Sequence, residues 1–412
     1  MKTSPAGWAR IVLTALVAMT MPACSSANQT DADGAASAAE AIQGPIRVAT
    51  YNIWQLSAAK VDSVDAEGRG AHPQLLAAAR VIKRVKPDIL VLNEVDLALT
   101  PEGTLDEAEM GRVVRHFVER YLAVGDDPLD FAFVYTAPSN TGELSGLDLN
   151  RDGITGTLAD LGTRAYGDDS WGYGEYPGQY AMAVLSRFAI DAEGARSFRR
   201  LRWVELPDHH LPRDFYGPVA DSLRLSSKSH WDVPVQLGTQ TLHLLVSHPT
   251  PTGFDGDEDR NGLRNYDEIG LWARYLDDAE GLTDDRGMPG GLQASGAGDA
   301  SASGDSEASG AGRPLFVIAG DLNAAPDDEA TAVDPKPAIL QLLEHRLVQD
   351  PAPLQGQTTF GGFGRWSGSR IDYVLPSIDL DISGAGLVGP EDPDADVGSD
   401  HYLVWVDLHL PG

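Results

Sequence analysis

Short runs of aliphatic and β-branched residues recur from residue 46 to residue 410, and most of them end at a polar residue. Runs of this length and composition are typical of β-strands, several of them buried on both faces. The predicted strands are 46–54, 88–95, 131–136, 180–187, 196–206, 233–237, 241–248, 314–323, 370–377 and 402–410. Helical spacing of apolar residues predicts helices over 73–86, 106–121, 265–282 and 337–345. Because strands dominate without a strict βαβ repeat, we expect α and β layers around mixed sheets.

Two stretches interrupt this series of elements. Residues 139–178 are rich in Gly and Asp, and we predict that they form a long ordered loop. Residues 284–313 are a low-complexity tract of Gly, Ser, Ala and Asp, for which we predict a disordered surface insertion. Since this tract falls between a predicted helix and a predicted core strand, we expect one folded domain over 46–412.

The N-terminus has the composition of a targeting segment. Basic residues precede an apolar run over 11–21, which is shorter than the roughly 20 residues of a membrane-spanning helix. Cys24, the only cysteine, follows this run directly after a small residue, and the pattern resembles a bacterial lipobox. We therefore predict a lipoprotein-type signal over 1–24, lipidation of Cys24, a flexible tether over 25–45 and an extracytoplasmic protein whose membrane contact is its lipid anchor. The alternative is an ordinary signal peptide with an incidental cysteine, which would give a secreted protein.

The charge of the chain restricts its partners. Acidic residues number 61 and basic residues 31, so the formal net charge at pH 7 is −30. Such a chain repels polyanions at long range and attracts metal cations, and no basic stripe with interleaved aromatic residues is visible in it. Tight non-specific binding of nucleic acid is therefore disfavoured, whereas binding of a divalent cation is favoured.

Polar side chains stand at the ends of several predicted strands, where a sheet would hold them and solvent could reach them. A carboxylate or amide inside an apolar strand reduces folding stability, which makes each one a candidate for function. Hard cations such as Mg²⁺ prefer oxygen ligands of this kind. Taken singly, each candidate has a simpler explanation as a turn former, a buried acid or a loop residue. The candidates are Asn52, Glu94, His248, Asp321, Asn323, Asp372, Asp400 and His401.

The order of the motifs is more specific than any one of them. The chain contains, in this order, TYNIW, NEVD, AVLSR, VSHPTP, GDLN, RIDYVL and SDHYLV. The series resembles the endonuclease/exonuclease/phosphatase superfamily, which includes pancreatic-type DNase, apurinic endonucleases, inositol polyphosphate phosphatases and neutral sphingomyelinases. The resemblance implies an α/β fold, namely a four-layer α/β sandwich with two mixed β-sheets packed face to face and helices outside.

The resemblance also implies a metal centre and a histidine–carboxylate pair. Glu94, with Asn52 and Asp400, would hold the divalent metal that contacts the scissile phosphate. His401 would act as a general base or as an imidazole that polarises the phosphate, and Asp372 would orient it through a hydrogen bond. The cofactor implied is Mg²⁺, with Mn²⁺ or Ca²⁺ as alternatives.

The remaining family positions would surround the attacking water. Asp321 would position or deprotonate that water, and Asn323 would bind a phosphate oxygen. His248 matches the second histidine of the DNase-like branch, where it would assist the leaving group. Because apurinic endonucleases carry a tyrosine near that point, His248 argues against that branch. The division of roles among Asp321, His248 and His401 stays open at this level.

Two weaker sets of residues are candidates for binding phosphate. Lys228 and His230, in SSKSHW, would contact it if they face the site, and the alternative is an exposed loop. Arg264 and Asn265 open a predicted helix, whose N-terminus would favour an anion.

One segment matches the spacing of a calcium loop. Asp257, Asp259, Asn261 and Glu268 fit the pattern D-x-D-x-N-G-x5-E. Because the preceding HPTPTGF cannot form a helix, we predict an isolated calcium or structural loop rather than an EF-hand.

The sequence therefore favours a divalent-metal-dependent phosphoester hydrolase, a phosphatase or phosphodiesterase that acts outside the cytoplasm through attack of water on phosphorus. Its substrate would be a small or exposed phosphoester, and we expect a monomer. A secreted DNase-like nuclease is an alternative that the charge disfavours. A non-catalytic binding protein on the same fold is another, which the presence of Glu94, Asp321 and His401 disfavours.

Overall fold

The computed structural model describes residues 44–296, 313–328, 336–362, 367–389 and 398–411. The predictions for the signal, for lipidation of Cys24 and for most of the tether fall on 1–43 and lie outside the described residues. The greater part of the predicted insertion, 297–312, also lies outside them. All of the described residues belong to one unit, Ala41–Gly412.

Two mixed sheets form the centre of the fold. In the described residues the strands are β1 Ile46–Leu56, β2 Ile89–Val95, β3 Phe133–Tyr135, β4 Ala181–Ser186, β5 Arg196–Ser197, β6 His230–Leu237, β7 Gln240–Ser247, β8 Leu315–Asp321, β9 Asp372–Pro376, β10 Asp381–Val388 and β11 Leu403–His409. The first sheet has the order β10-β11-β1-β2-β4-β3, and the second has the order β5-β6-β7-β8-β9. Each contains a parallel pair, β1 with β2 and β7 with β8. Parallel strands end at the same edge of a sheet, so their last side chains come together.

Helices pack on the outer faces of the sheets. The α-helices in the part of the chain that the structure describes are α1 Ala58–Val61, α2 Pro73–Val85, α3 Arg112–Phe117, α4 Arg164–Asp168, α5 Arg213–Tyr216, α6 Arg260–Leu276, α7 Leu292–Gly296 and α8 Leu340–Leu343. Within the described ranges, 3₁₀ turns are formed by Leu158–Asp160, Trp203–Glu205, Gly217–Ser222 and Ala352–Leu354, and Val118–Leu122 is a π turn. Proline at the first position of α2 suits a helix start, because its missing N–H would have no partner there. In the described part of the chain, no helix is both long and apolar enough to cross a membrane.

Alternation of side chains along the strands produces three apolar layers. Val48 and Val91 of the first sheet belong to the same cluster as Val246 and Val317 of the second, between the sheets. Side chains on the opposite faces join two other clusters, one with α2 and one with α6. The layers are therefore helix, sheet, sheet, helix, and the predicted α/β sandwich of two mixed sheets is confirmed.

Some element boundaries differ from those predicted. The predicted strand 196–206 is a strand only at its first two residues, and Trp203–Glu205 forms a 3₁₀ turn. The predicted helix 106–121 begins at Arg112. Strand β10 was not predicted, since its sequence DISGAGLV is rich in small residues and has the composition of a loop. The strand forms because its backbone pairs with β11, although its side chains do not favour an extended conformation.

Both interruptions are ordered where they are described. In the 139–178 loop, the Asn140 side chain donates to the Ser226 carbonyl oxygen at 2.7 Å. At the start of the second interruption, the buried Arg196 pairs with Asp284 (Nε to Oδ2, 3.2 Å) and donates to the Gly291 carbonyl oxygen. A buried guanidinium requires such acceptors, and here residues of 284–296 provide them. The prediction of disorder is therefore wrong for 284–296.

Candidate active site

The polar end of the inter-sheet core forms the candidate site. Along β1, β2, β7 and β8, the side chains facing the opposite sheet are predominantly apolar until Asn52, Asn93, His248 and Asp321. Each of these lies an even number of residues from an apolar residue of the inter-sheet cluster, so alternation turns it towards the other sheet. Asp372, the first residue of β9, is directly opposite Asp321 in the register. Strand ends from both sheets thus bring polar groups to one edge.

Asp321 lies at the centre of this group and is 1% exposed. Its Oδ2 accepts a hydrogen bond from Asn52 Nδ2 at 3.0 Å. The same oxygen is 3.6 Å from His248 Nε2 and 3.7 Å from His401 Nε2. Its Oδ1 accepts from the backbone N–H of Asn323 at 3.0 Å. Segments that are far apart in the sequence therefore converge on one buried carboxylate.

His401 and Asp372 form a buried pair. His401 Nδ1 lies 2.9 Å from Asp372 Oδ2, which leaves Nε2 directed towards Asp321. The backbone N–H of Asp372 donates to Thr359 Oγ1 at 3.0 Å, and the Phe360 ring packs against the imidazole with 4.8 Å between centroids. The carboxylate and the ring together determine the orientation of the imidazole.

Burial and neighbouring charges shift the pKa values of the site in different directions. Burial lowers the pKa of His401, but the carboxylates of Asp372 and Asp321 outweigh it and raise the value to about 10. Burial raises the pKa of Asp321 to about 6, although the charge of His401 opposes this shift. Burial, with the charges of Lys228 and His401, lowers the pKa of His248 well below its usual value. At neutral pH the site therefore combines a cationic His401, a neutral His248 and an ionised Asp321.

Glu94 reaches the site through an irregular backbone. Because Asn93 faces the other sheet, simple alternation would turn Glu94 towards the helices. Glu94 instead adopts a left-handed conformation (φ 62°), where the register of β2 with its neighbours shifts. Its Oε1 accepts from Asn52 Nδ2 at 3.2 Å. Such backbone strain is worth roughly 1–3 kcal/mol and is concentrated at functional sites.

The oxygen donors around Asn52 fit a divalent cation. Burial raises the pKa of Glu94, and the negative charges of Asp321 and Asp400 add to this shift. A hard cation would neutralise these neighbouring carboxylates, so Glu94, Asn52 and Asp400 are suited to hold one. Asn52 Oδ1 already accepts from the Trp54 N–H at 3.0 Å, which leaves its second lone pair for a metal.

A second group of potential ligands lies beside these residues. Atoms of Asp321, Asp372 and His401 lie within 4.8 Å of one another. Asp372 is already paired with His401, so we assign these three residues to the catalytic set rather than to the metal ligands.

The GDLN segment is held against the chain that follows β7. Asn323 has a left-handed backbone (φ 51°), and its Nδ2 donates to the Pro249 carbonyl oxygen at 3.1 Å. Gly320 permits a close approach of β7, because a Cβ there would lie 2.1 Å from the Ser247 carbonyl oxygen. These contacts place Asn323 and His248 on adjoining segments.

The two residues of SSKSHW predicted to bind phosphate lie in different environments. Lys228 is buried near the site, and burial lowers its pKa although the charges of Glu268 and Asp321 oppose this shift. His230 contradicts the prediction of a phosphate contact. Its Nδ1 lies 2.7 Å from the Ser226 hydroxyl and its Nε2 lies 2.9 Å from the Glu268 carbonyl oxygen, so both ring nitrogens are occupied within the core.

Arg264 and Asn265 do not open a helix, because α6 begins earlier, at Arg260. Arg264 donates to backbone carbonyls, among them that of Leu225 at 2.8 Å. The Asn265 side chain donates to the carbonyl oxygens of Thr250 (2.8 Å) and Leu322 (3.0 Å). Both side chains therefore hold the protein backbone, and the prediction that they bind phosphate is wrong.

The predicted calcium loop is also contradicted. Because α6 begins at Arg260, Asn261 and Glu268 lie on different turns of a helix rather than on a loop around an ion. The Glu268 carboxylate is buried and accepts from the backbone N–H groups of Ser227 and Thr250. We therefore do not assign Asp257, Asp259, Asn261 and Glu268 to a calcium site.

Polar residues outside the predicted set support the site. Asn93 Oδ1 accepts from the backbone N–H of Asp321 at 3.1 Å and so joins the two sheets. Ser399 Oγ donates to the Asn52 carbonyl oxygen at 2.6 Å. Both residues stand next to predicted motif residues in the sequence, and that adjacency is the signal that could have identified them. Thr359 has no such signal.

A family match covers most of the chain. The model described as Endonuclease/Exonuclease/phosphatase family matches residues 49–401. No match is found among the curated proteins. Similar solved structures include an endonuclease/exonuclease/phosphatase from Beutenbergia cavernae DSM 12333, with 19% identity, 90% of this chain and 72% of that chain covered, and a TM-score of 0.47. A family protein from Leptotrichia buccalis C-1013-b has 13% identity, 89% and 100% coverage, and a TM-score of 0.45. Truncated Caenorhabditis elegans TDP2 has 13% identity, 88% and 97% coverage, and a TM-score of 0.43.

Proposed function

Because the chain belongs to the endonuclease/exonuclease/phosphatase family, whose members hydrolyse phosphoester bonds, we propose that it is a divalent-metal-dependent phosphatase or phosphodiesterase. The observation that carries this proposal is the convergence of Asn52, His248 and His401 on Asp321 Oδ2, at 3.0 to 3.7 Å. A carboxylate held between two imidazoles and close to Glu94 can orient a water molecule for attack on phosphorus.

The metal we propose is Mg²⁺, since the available ligands are hard oxygen donors. Glu94, with Asn52 and Asp400, would hold it. When bound, the cation would neutralise charge on the phosphoryl oxygens. Mn²⁺ or Ca²⁺ could occupy the same oxygens.

The protonation states favour a division of roles. Asp321, ionised at neutral pH, orients the water and accepts its proton. His401 remains cationic because Asp372 holds the proton on Nδ1, so its Nε2–H stabilises negative charge on a phosphate oxygen. His248 is neutral and directs Nε2 towards Asp321 Oδ2. From there its ring can form a hydrogen bond with the leaving oxygen. This division favours Asp321 over His401 as the base.

Two further side chains have donors to offer the substrate. Asn323 uses one N–H of its amide for Pro249, which leaves the other for a phosphate oxygen. In its protonated form, the buried Lys228 side chain attracts phosphate, and exclusion of water strengthens this attraction. The net charge of −30 favours a small or exposed phosphoester over a long polyanion.

The test is a hydrolysis panel with Mg²⁺, Mn²⁺ and Ca²⁺. The substrates are a simple phosphomonoester, a phosphodiester, an inositol phosphate, a phospholipid and plasmid DNA. We expect hydrolysis of at least one small substrate, and a decrease in kcat of roughly 10²- to 10⁴-fold in Asp321→Asn. The matched control is Asp232→Asn, a buried carboxylate that pairs with His243 away from the site. Equal activity in Asp321→Asn would overturn the proposal, and cleavage of plasmid alone would identify a nuclease.

The proposed location is extracytoplasmic, with a lipid anchor at Cys24 and a monomeric enzyme domain. Its support is the N-terminal sequence. We expect Cys24→Ser to move the protein from the membrane fraction to the soluble fraction. Retention of the variant on the membrane would refute lipidation as the anchor.

A further inference from the structure

Glu268 is a buried carboxylate on α6 that the proposed chemistry does not use. Its Oε1 accepts from the backbone N–H of Ser227 at 2.6 Å, and its Oε2 accepts from the backbone N–H of Thr250 at 2.6 Å. Its own carbonyl oxygen lies 2.9 Å from His230 Nε2. One residue thus contacts the segment that enters β6 and the segment that leaves β7.

Both segments carry residues of the candidate site. Lys228 follows Ser227 directly, and His248 lies two residues before Thr250 in the sequence. The segments also contact each other, because Ser227 Oγ donates to the His248 carbonyl oxygen at 3.4 Å. The positions of Lys228 and His248 therefore depend on how these two segments are held.

We infer that Glu268 is a positioning residue that joins the segments 226–230 and 248–250, so that Lys228 and His248 face Asp321. The effect of this joint on catalysis rests on the proposed function, whereas the joint itself is a property of the fold. A carboxylate is suited to the position because it only accepts hydrogen bonds, and each segment offers it an N–H donor.

Glutamine at this position would keep the size of the side chain and lose one acceptor. Its amide N–H₂ would face a backbone N–H, and that buried donor would have no partner. The segment bound through it would then be free to move away from α6. Because displacements of about 1 Å can reduce a rate by roughly 10²-fold, we expect Glu268→Gln to affect kcat strongly.

The neighbouring Asp267 provides a matched control. It is also completely buried on α6, and its Oδ2 accepts from Trp203 Nε1 at 2.5 Å and from the His210 backbone N–H at 2.6 Å. Neither partner belongs to the candidate site. Asp267→Asn therefore removes a comparable charge from the same helix and leaves the joined segments intact.

Amide hydrogen exchange tests the joint without any substrate. In Glu268→Gln, we expect the peptide covering 226–230 or the one covering 248–250, whichever segment faces the new amide nitrogen, to exchange at least tenfold faster than in wild type. In Asp267→Asn, the faster exchange should be confined to peptides around 203–210. If Glu268→Gln does not fold, Glu268→Asp is measured in the same way, since its shorter carboxylate cannot reach both segments. Unchanged exchange at both segments would overturn the inference.

Kinetics test the consequence for the site. On the phosphoester that wild type hydrolyses fastest, we expect Glu268→Gln to lower kcat by about 10²-fold, with a smaller change in KM. Asp267→Asn should stay within about threefold of wild type, per folded molecule. Equal losses in the two variants would overturn the positioning role and indicate a general effect on the helix. If wild type hydrolyses nothing, the proposed function fails, and the exchange experiment still decides whether Glu268 joins the segments.

Discussion

Two buried histidine–carboxylate pairs show how little a local contact says about function. His401 Nδ1 lies 2.9 Å from Asp372 Oδ2, and His243 Nδ1 lies 2.8 Å from Asp232 Oδ1. The second oxygen of Asp232 accepts from the Tyr275 hydroxyl at 2.5 Å, so both oxygens of this carboxylate are bonded to side chains of the core. His401 instead directs its other nitrogen at Asp321. The Asp321 carboxylate that faces the second nitrogen of His401 marks that pair as the catalytic candidate.

At the same scale, His230 should make stability depend on pH. Burial lowers its pKa to about 4, whereas the pKa of an imidazole in an unfolded chain is about 6.5. Between these values the unfolded state binds more protons, so stability falls as the pH decreases through that window. The loss attributable to His230 is about 3 kcal/mol at pH 4.

The measurement is urea unfolding of wild type and His230→Gln at pH 7.5 and pH 4.5. We expect the variant to lose less stability than wild type between these two pH values, by about 2 to 3 kcal/mol. Parallel losses in the two proteins would show that His230 is not the group responsible.

At the scale of elements, the ends of strands bring the site together and irregular backbone completes it. β1 and β2 are parallel neighbours, and β7 and β8 form the equivalent pair in the other sheet. Left-handed residues interrupt the regular pattern at Trp54, Gln55 and Glu94. These irregularities lie where the strands leave the apolar core, so polar side chains can point to positions that regular alternation would not reach.

Another element depends on one buried ion pair. Arg196 of β5 is 1% exposed and pairs with Asp284, which also accepts from the backbone N–H of Met288 at 2.9 Å. We expect Asp284→Asn to reduce the free energy of unfolding by about 3 to 5 kcal/mol, because it leaves a buried guanidinium without its counter-ion. Urea denaturation measures this change.

The control for Asp284→Asn is Glu205→Gln. Glu205 pairs with Arg202 at 2.5 Å, but both side chains are substantially exposed, at 40% and 52%. Removal of such a surface pair should change stability by less than about 1 kcal/mol. A loss of similar size in the two variants would contradict the structural role assigned to Asp284.

For the whole molecule, net charge and a cluster of carboxylates point to a cation. The chain carries a formal charge of −30, and Glu94, Asp321 and Asp400 lie near one another at the end of the core. A cation that binds only the folded state stabilises it by about 2.7 kcal/mol at 100 times its Kd. We therefore expect Mg²⁺ to raise Tm and a chelator to abolish hydrolysis.

Glu94→Gln should reduce the increase in Tm that Mg²⁺ causes, because it removes a charged ligand. Asp257→Asn is the matched control, since Asp257 belongs to the calcium loop that the structure contradicts. It should keep the full increase. If Glu94→Gln responds to Mg²⁺ like wild type, the metal is not held where we propose.

Sequence patterns alone were sufficient for the family, the layer type and the strands that carry GDLN and NEVD. They succeed there because alternation and apolar runs depend on local sequence and because the order of the motifs is specific. They were wrong where a long-range contact decides the structure. Strand β10 forms through pairing with β11, and 284–296 is ordered by Arg196, which lies 88 residues from Asp284 in the sequence.

The candidate site divides in the same way. Its residue types and their attachment to strand ends follow from the sequence, since a polar residue at the end of an apolar run is visible there. Only the tertiary structure separates Lys228, which is buried near Asp321, from His230, which is bonded within the core. Only the structure turns Glu268 from a predicted calcium ligand into a joint between two segments. The physical reason is that a side chain's role depends on the partners packed around it, and these come from distant parts of the chain.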